Sequence, residues 1–279
     1  MTNQHEPLSI PPEARDLLQR ALAGRPRGLF TDVDGTISPI APAPEQARVL
    51  PEAREALDAA RATFDVVAAV SGRSALDARR MVGLDGLMYL GNHGFERLDP
   101  GSLAPVTLPA AAPYEDDIDA TLDAIELQLG PRLPGLRIER KGITGSIHVR
   151  ACEDPAAAEE IVRRTVAVLA VQKGLRVTEG KMVVEVRPPV DVDKGVVVED
   201  VISGRGLRGA IYLGDDRTDI DALRMMRRLR EQGACAAVGV AVLQEEAPSD
   251  LAEAADITLP NVSATPAFLR LVLRLASGE

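Results

Sequence analysis

The amino-acid sequence predicts an α/β fold in which a parallel-sheet core is interrupted by a smaller α+β domain. Near both ends of the chain, continuous apolar segments are separated by helical patterns, which is typical of a parallel sheet covered on both faces. In the middle of the chain, apolar and polar residues alternate, as in an antiparallel sheet with one solvated face. The length of 279 residues is sufficient for two domains.

The first part of the core is expected to alternate helices with strands. A helical pattern follows Pro11 and Pro12 and extends to Leu22. Pro51 and Ser74 are suited to begin two further helices, the first as a first-turn proline and the second as an N-cap. Three short apolar segments predict buried strands at residues 28–31, 66–70 and 87–90.

The inserted domain is predicted from a change of pattern after a Pro- and Ala-rich stretch at residues 105–113. Alternation predicts strands at residues 136–141, 147–150 and 184–187. Helical patterns lie between them, at residues 115–129 and 155–171. We therefore assign residues 1–108 and 189–279 to the core and residues 109–188 to the inserted domain.

The chain returns to the core after Pro188 and Pro189. The remaining helices are predicted at residues 193–201, 219–230 and 264–276, and the remaining strands at residues 210–213, 236–240 and 257–259. The pattern Gly204-x-Gly206-x-x-Gly209 matches a dinucleotide-binding fingerprint, but it precedes a predicted strand, whereas that fingerprint follows one. We therefore interpret this segment as a loop.

Composition narrows the possible partners. The chain has 42 acidic residues against 32 Lys and Arg, so its net charge of −10 disfavours nucleic acid and anionic membranes as partners. The two cysteines, Cys152 and Cys235, lie far apart and form no metal-binding or disulfide pattern, which favours a cytoplasmic location. No apolar run approaches the ~20 residues of a membrane helix. The sequence leaves the oligomeric state open, and we expect a monomer.

Three predicted strands of the core end in small polar turns. These turns cover residues 32–36, 71–73 and 214–219. The carboxyl ends of parallel strands meet at one edge of the sheet, where α/β proteins bind their ligands. Asp32, Asp34 and Asp215 would then lie close together, which requires a cation or raised pKa values. Carboxylate oxygens suit Mg²⁺, which also shares phosphate oxygens.

The same turns resemble the motifs of a known superfamily. Each acidic turn alone could simply end its strand, since Asp-Gly and Asp-Asp are common in turns. Together, however, four segments match in order the motifs of the haloacid dehalogenase superfamily of phosphotransferases: Asp32-Val33-Asp34-Gly35-Thr36, Ser71, Lys194 and Gly214-Asp215-Asp216. The resemblance extends over nearly the whole chain. It implies a Rossmann-like core with an inserted cap, or lid, domain.

This resemblance also implies a role for each motif residue. Asp32 would be the nucleophile and form an aspartyl-phosphate, and Asp34 would protonate the leaving alkoxide and then deprotonate water. Mg²⁺ would be bound by Asp32, by the backbone carbonyl of Asp34 and by Asp215. Ser71 would bind a phosphoryl oxygen, and Lys194 would bind both the phosphate and Asp32. We expect three neighbours of these residues to contact the substrate as well: Thr36, Gly72 and Arg73.

The inserted domain narrows the resemblance to the trehalose-6-phosphate phosphatase family. The matching segments are Gly91-Asn92-His93-Gly94-Phe95-Glu96, Glu139-x-Lys141, His148-x-Arg150, Lys181 with Glu185, and the last acidic turn. In that family the residues matching five of these positions line the lid and bind the disaccharide hydroxyls: Glu139, Lys141, Arg150, Lys181 and Glu185. We expect His148 to lie on the same face. One departure is Ile220, where the family usually has an acid.

Strand alternation supports the lid interpretation separately, because it places these charged residues opposite the apolar ones. A face that is merely solvated would show the same alternation, so this argument alone leaves both interpretations open. Charged side chains of both signs suit a polyhydroxylated sugar. With only four Phe, three Tyr and no Trp, the chain is not suited to a site built on stacked aromatic rings.

These features predict a Mg²⁺-dependent phosphatase that hydrolyses trehalose 6-phosphate to trehalose and phosphate. Two related activities remain open. One is a phosphatase for another sugar phosphate or a glycosyl-glycerate phosphate, and the other is a phosphomannomutase-type phosphotransferase, which requires a bisphosphate activator. A binding protein without turnover is disfavoured, because all four motifs are intact.

Overall fold

A computed structural model of the protein describes residues 10–41, 44–180, 182–245 and 247–278. The chain divides into two compact units. The larger one, which we call the core unit, contains Met1–Pro105 and Val192–Glu279. The smaller one, the inserted unit, is Val106–Asp191.

The α-helices and the β-strands are each numbered in chain order. The helices are α1 (Pro12–Ala23), α2 (Pro51–Ala60), α3 (Ala75–Val82), α4 (Glu115–Leu129), α5 (Pro155–Gln172), α6 (Lys194–Gly204), α7 (Asp219–Glu231), α8 (Leu251–Ala254) and α9 (Thr265–Ser277). The strands are β1 (Arg27–Thr31), β2 (Val66–Val70), β3 (Met88–Gly91), β4 (Glu96–Leu98), β5 (Val106–Thr107), β6 (Arg137–Arg140), β7 (Gly145–His148), β8 (Arg176–Gly180), β9 (Val183–Arg187), β10 (Gly209–Gly214), β11 (Ala236–Val242) and β12 (Ile257–Leu259).

The core unit is built on a mostly parallel sheet. Its strands lie in the order β12-β11-β10-β1-β2-β3-β4, and neighbours are parallel except for β3 and β4. Helices α1, α2, α3 and α9 pack on one face, and α6, α7 and α8 pack on the other. Because both faces are covered, every residue of β1, β2 and β10 is buried, which explains why their sequences are mainly apolar. The predicted α/β fold is confirmed.

The strand order brings the polar turns to one edge of this sheet. Strand β1 lies between β10 and β2. Asp32 follows β1, Ser71 follows β2 and Asp215 follows β10. The backbone N–H of Asp32 donates a hydrogen bond of 2.8 Å to the carbonyl oxygen of Leu213, so the end of β1 is tied to β10. Residues that are more than 180 positions apart in the chain therefore become neighbours.

The inserted unit contains the predicted small antiparallel sheet. Its strands lie in the order β6-β7-β9-β8, and α4 and α5 pack against it. One face is apolar, with Ile147 and Val184 fully buried. On the other face, Glu139, Ser146 and Glu185 lie side by side across three neighbouring strands. The sheet therefore has one apolar and one charged face, as the sequence predicts.

Some of the strands differ from the sequence-based expectation. Strands β4, β5 and β8 were not predicted; β5 has two residues, and β8 is an edge strand whose sequence, Arg-Val-Thr-Glu-Gly, has one apolar residue. The prediction that β7 reaches Arg150 is wrong, because the strand ends at His148 and Arg150 is exposed in a turn. The N–H of Cys152 closes this turn on the carbonyl oxygen of Val149 at 3.0 Å.

Within the part of the chain that the structure describes, no helix is both long enough and apolar enough to cross a bilayer.

Candidate active site

Lys194 holds Asp32 at the carboxyl end of β1. Both residues are buried, with exposed fractions of 2% and 5%. Lys194 is the first residue of α6, and the start of this helix is defined by Asp193, whose side chain accepts a hydrogen bond of 2.8 Å from the N–H of Val196. The Lys194 ammonium donates to Oδ1 of Asp32 at 2.7 Å. Among the described residues, the hydrogen bond from Lys194 involves Oδ1 of Asp32, and no donor binds Oδ2.

Asp219 is the second partner of Lys194. Its Oδ1 accepts from the Lys194 ammonium at 2.7 Å and from the Tyr212 hydroxyl at 2.5 Å. Its Oδ2 accepts from the backbone N–H groups of Asp215 and Asp216, each at 3.0 Å. A carboxylate has about four acceptor positions. Four donors therefore occupy the Asp219 carboxylate fully, and it orients both the lysine and the turn after β10.

The turn after β1 positions the side chain of Asp215. The Thr36 hydroxyl donates to Oδ1 of Asp215 at 2.9 Å, and Thr36 is fully buried. Gly35 has a φ of 88°, and a Cβ placed there would lie 1.9 Å from Oδ2 of Asp215. Only glycine has both the left-handed conformation and the room. The Gly-Thr part of the motif is thus explained by its contacts with the carboxylate of Asp215, which directly follows the neighbouring strand β10.

Burial raises the pKa of all three carboxylates. The pKa of Asp32 lies well above its usual value because of desolvation, which Lys194 offsets in part. Desolvation and the nearby Asp219 raise the pKa of Asp215 to about 8, and desolvation also raises the pKa of Asp219. Burial alone would lower the pKa of Lys194, but Asp219 and Asp32 raise it well above its usual value. The cluster therefore has three buried carboxyl groups and one ammonium group, so its acidic groups outnumber its cations.

This cluster fits a divalent cation. Asp32, Asp215 and Asp219 each offer one oxygen, and these oxygens lie within 4.8 Å of one another. Carboxylate oxygens are the ligands that Mg²⁺ prefers, and a cation would stabilise the charged form of these carboxylates, which burial disfavours. Because the acceptor positions of Asp219 are filled, Asp32 and Asp215 are the carboxylates of this cluster with room for an ion.

Asp34 is bound by Arg73. The Nε and one terminal nitrogen of the Arg73 guanidinium each donate to a different carboxylate oxygen of Asp34, at 2.7 Å. The side chains are 18% and 37% exposed, for Arg73 and Asp34 respectively. This bidentate pair joins the turn after β1 to the turn after β2. The predicted acid and the predicted substrate-binding arginine are therefore direct partners.

The turn after β3 braces the turn that contains Ser71. The N–H groups of Asn92 and His93 donate to the carbonyl oxygens of Arg73 and Ser71, at 2.7 and 3.0 Å. A Cβ on Gly72 would lie 2.6 Å from Cε1 of His93, so the imidazole packs directly on this glycine. The N–H of Arg73 donates to Oγ of Ser71 at 3.1 Å. Ser71 and Gly72 are thus held in place at the predicted position.

In the inserted unit, Lys141 and Glu185 form a buried ion pair. The Lys141 ammonium lies 2.6 Å from Oε1 of Glu185, and the side chains are only 6% and 12% exposed. The Ser146 hydroxyl is 3.5 Å from the same oxygen, and Nε of Arg187 is 3.9 Å from Oε2. Burial of an ion pair gains little stability over an apolar pair of the same volume. Stability alone therefore does not account for this pair.

A second pair lies on the same face of that sheet. Nε2 of His148 is 2.8 Å from Oε2 of Glu139, and this hydrogen bond lowers the pKa of Glu139 below its usual value. Four of the predicted lid residues are therefore gathered in two pairs. Arg150 is not part of this group, since it is exposed in the turn after β7. Lys181 lies outside the described residues.

Comparison with known proteins identifies the family. Residues 30–256, more than half of the chain, match the family model described as trehalose-phosphatase. The chain belongs to the trehalose-phosphatase family. It is 31% identical over 242 residues to a probable trehalose-phosphate phosphatase 4 of Oryza sativa subsp. japonica, covering 82% of this chain and 62% of the relative. It is 36% identical over 226 residues to a trehalose-phosphate phosphatase of Mycobacterium avium, covering 76% and 54%. The chain thus spans little more than half of these relatives.

Solved structures support the fold of this trehalose-phosphatase family member. A trehalose-6-phosphate phosphatase related protein superimposes with a TM-score of 0.74 at 24% identity, covering 90% of this chain and 99% of that one. A haloacid dehalogenase-like hydrolase from Bacteroides thetaiotaomicron superimposes with a TM-score of 0.59 at 14% identity, covering 89% and 99%. At these identities the likeness concerns the fold, and it agrees with the superfamily resemblance.

Two residues of the site were not predicted from the sequence. The sequence pattern assigns Asp219 only to the last acidic turn and Tyr212 only to an apolar strand. The role of Asp219 has a signal in the sequence. It lies four residues after Asp215, and one turn of backbone brings residues with this spacing together. The role of Tyr212 depends on a contact between side chains and has no comparable signal.

Proposed function

We propose that this trehalose-phosphatase family member hydrolyses trehalose 6-phosphate to trehalose and inorganic phosphate. The observation that carries the proposal is the Lys194 ammonium fixed 2.7 Å from Asp32 at the carboxyl end of β1. A carboxylate nucleophile that attacks an anionic phosphate needs a fixed cation beside it. The relatives are named for trehalose phosphate, and the charged face of the inserted unit suits a sugar.

The chemistry is proposed to proceed in two steps. Oδ2 of Asp32 attacks phosphorus and forms a bond to it while the bond from phosphorus to the sugar oxygen breaks. Asp34 gives its proton to the leaving sugar alkoxide, which is otherwise a poor leaving group. Water then attacks the phosphoryl group and gives a proton to Asp34, while the bond between phosphorus and Asp32 breaks. Phosphate leaves, and both carboxyl groups are restored.

Other residues of the edge hold the phosphate and the nucleophile. Lys194 is proposed to bind a phosphate oxygen together with Asp32, and the Ser71 hydroxyl and the Gly72 backbone are proposed to bind the others. Arg73 would contribute its guanidinium, which matches the geometry of a phosphate. Thr36 was expected to contact the substrate, but its hydroxyl donates to Asp215. We propose that it orients this carboxylate.

Mg²⁺ is the proposed cofactor. The carboxylates of Asp32 and Asp215 would hold it, with the backbone carbonyl of Asp34 as the third protein ligand. The ion would supply positive charge that reduces the repulsion between the Asp32 carboxylate and the phosphate. This requirement matches the shortage of positive charge among the three buried carboxylates.

The inserted unit is proposed to select the sugar as a cap domain. Its charged face would donate and accept hydrogen bonds with the disaccharide hydroxyls, through the Lys141–Glu185 and Glu139–His148 pairs. Arg150 and Lys181 would add further contacts. Binding energy from a part of the substrate distant from phosphorus can be used to raise the reaction rate.

The activity is tested with a panel of phosphate esters. Phosphate release is measured with trehalose 6-phosphate, several monosaccharide phosphates, a glycosyl-glycerate phosphate and an aryl phosphate, each with Mg²⁺. We expect the highest kcat/KM for trehalose 6-phosphate, without a bisphosphate activator. Preference for a monosaccharide phosphate contradicts the substrate assignment, and dependence on a bisphosphate supports the phosphomannomutase alternative.

A paired variant tests the cap assignment without leaving a buried charge unpaired. Replacing Lys141 by Met together with Glu185 by Leu removes both charges and keeps the volume, so the unit should remain folded. We expect kcat/KM for trehalose 6-phosphate to fall about 100-fold and that for the aryl phosphate to stay within about threefold. Arg140→Ala is the matched control, because Arg140 lies on the opposite face and binds Asp123 of α4 at 2.7 Å. Equal losses with both substrates contradict the assignment.

A further inference from the structure

Tyr212 is a buried polar residue that the proposed reaction leaves unexplained. It lies in β10 between Phe30 of β1 and Gly239 of β11, and its side chain is fully buried. Its neighbours in that core are mainly aliphatic. A hydroxyl at such a position is costly unless it has a partner. The partner is Oδ1 of Asp219, at 2.5 Å.

The Tyr212 hydroxyl shares this oxygen with Lys194. Oδ1 of Asp219 receives the tyrosine and the ammonium, while Oδ2 receives the two backbone N–H groups of the turn after β10. The hydroxyl supplies the fourth donor that completes the acceptor positions of this carboxylate. Without it, one acceptor position of Oδ1 would be open. A buried carboxylate with an open position attracts the nearest available donor or cation more strongly.

The nearest such group is the ammonium that the nucleophile needs. Lys194 is divided between Asp219 and Asp32, with the same distance of 2.7 Å to each. An increase in the attraction from Asp219 draws the ammonium away from Asp32. The strength of the tyrosine hydrogen bond thus controls how Lys194 is shared between the two carboxylates.

We propose that Tyr212 is a positioning residue, which acts through Asp219 to keep Lys194 against Asp32. It contacts neither substrate nor nucleophile. The inference rests on the proposed phosphatase function, because it concerns the residues that carry out that reaction.

The chain offers a matched pair of variants for the test. Tyr89, in β3 of the same sheet, is also fully buried, and its hydroxyl donates to the carbonyl oxygen of Leu84 at 2.6 Å. Tyr212→Phe and Tyr89→Phe each remove one buried hydroxyl and keep the ring. Both variants should remain folded with a lowered stability, which is measured as the change in Tm.

The two variants should differ in catalysis. We expect Tyr212→Phe to lower kcat about tenfold for both trehalose 6-phosphate and an aryl phosphate, with KM unchanged, because a lost hydrogen bond to a charged group is of this size. Tyr89→Phe should leave kcat within about twofold. A purely structural role for Tyr212 predicts instead that both variants lower Tm and that neither changes kcat.

Binding of Mg²⁺ gives a readout that is independent of turnover. The rise of Tm on titration with MgCl₂ reports binding, and its midpoint should be the same in Tyr212→Phe and the wild type. A tenfold shift of this midpoint, with kcat unchanged at saturating Mg²⁺, means that Tyr212 acts through the ion and overturns the inference. A wild-type protein that turns over neither ester contradicts the proposed function. An active wild type with an unchanged kcat in Tyr212→Phe contradicts this inference alone.

Discussion

Arg73 binds Asp34 through two hydrogen bonds of 2.7 Å, one to each oxygen of the carboxylate. A guanidinium placed in this way is also complementary to a phosphate. In the proposed reaction, an arriving phosphate can take the guanidinium from Asp34 and leave this carboxyl group beside the leaving oxygen. The pair therefore connects binding of the phosphate with release of the acid.

Arg73→Lys tests this relationship. Lysine keeps the positive charge but cannot form the bidentate contact, so we expect kcat/KM to fall about 10- to 100-fold, which corresponds to one or two charged hydrogen bonds. The measurement is steady-state hydrolysis of trehalose 6-phosphate. Arg97→Ala is the control, because Arg97 is 53% exposed and pairs with Asp99 at the surface. An unchanged kcat/KM in Arg73→Lys contradicts a role for the bidentate geometry.

Gly35→Ala is expected to displace the Asp215 carboxylate. The added Cβ would lie 1.9 Å from Oδ2 of Asp215, and the left-handed backbone would cost a further ~1–2 kcal/mol for alanine. We expect hydrolysis to fall at least 100-fold, because Asp215 is a proposed ligand of the ion. Gly101→Ala separates the two effects, since Gly101 has a φ of 78° and nothing within 4 Å of the added atom. If both variants lose the same activity, strain and not the carboxylate is responsible.

The Glu139–His148 contact predicts a dependence of stability on pH. The pKa of Glu139 in the folded protein is lower than its value of 4.5 in the unfolded chain, mainly because of the His148 hydrogen bond. The carboxylate therefore stabilises the fold at pH values above 4.5, and this contribution is lost as the pH falls through the lowered pKa. The difference in Tm between wild type and Glu139→Gln should decrease as the pH is lowered from about 6 to about 3. A difference that grows over this range contradicts the pairing.

The sequence predicted the architecture because buried parallel strands leave a strong pattern. The segment 28–31, which is apolar except for Thr31, lies within β1, and the helix predicted at residues 115–129 has the same bounds as α4. The meeting of Asp32 and Asp215 also follows from sequence, since both residues come directly after parallel strands. Positions set by the backbone were therefore predictable.

Contacts between side chains were less predictable. The pairing of Asp34 with Arg73, and of Asp219 with Lys194 and Tyr212, depends on the packing of elements distant in sequence. The edge strand β8 was not predicted because a strand with few buried residues carries little apolar signal. Alternation also continued past the end of β7, since it cannot show where hydrogen bonding between strands stops.

The central claim of this account is that Asp32 forms a covalent bond to phosphorus. The most direct measurement is to mix enzyme, Mg²⁺ and trehalose 6-phosphate, stop the reaction with acid after one turnover, and map the phosphoryl group by mass spectrometry of the peptides. The account predicts a phosphorylated peptide that contains Asp32, and neither this peptide nor turnover in Asp32→Asn. Substantial Mg²⁺-dependent hydrolysis by Asp32→Asn, or a phosphoryl group on a peptide without Asp32, would contradict it.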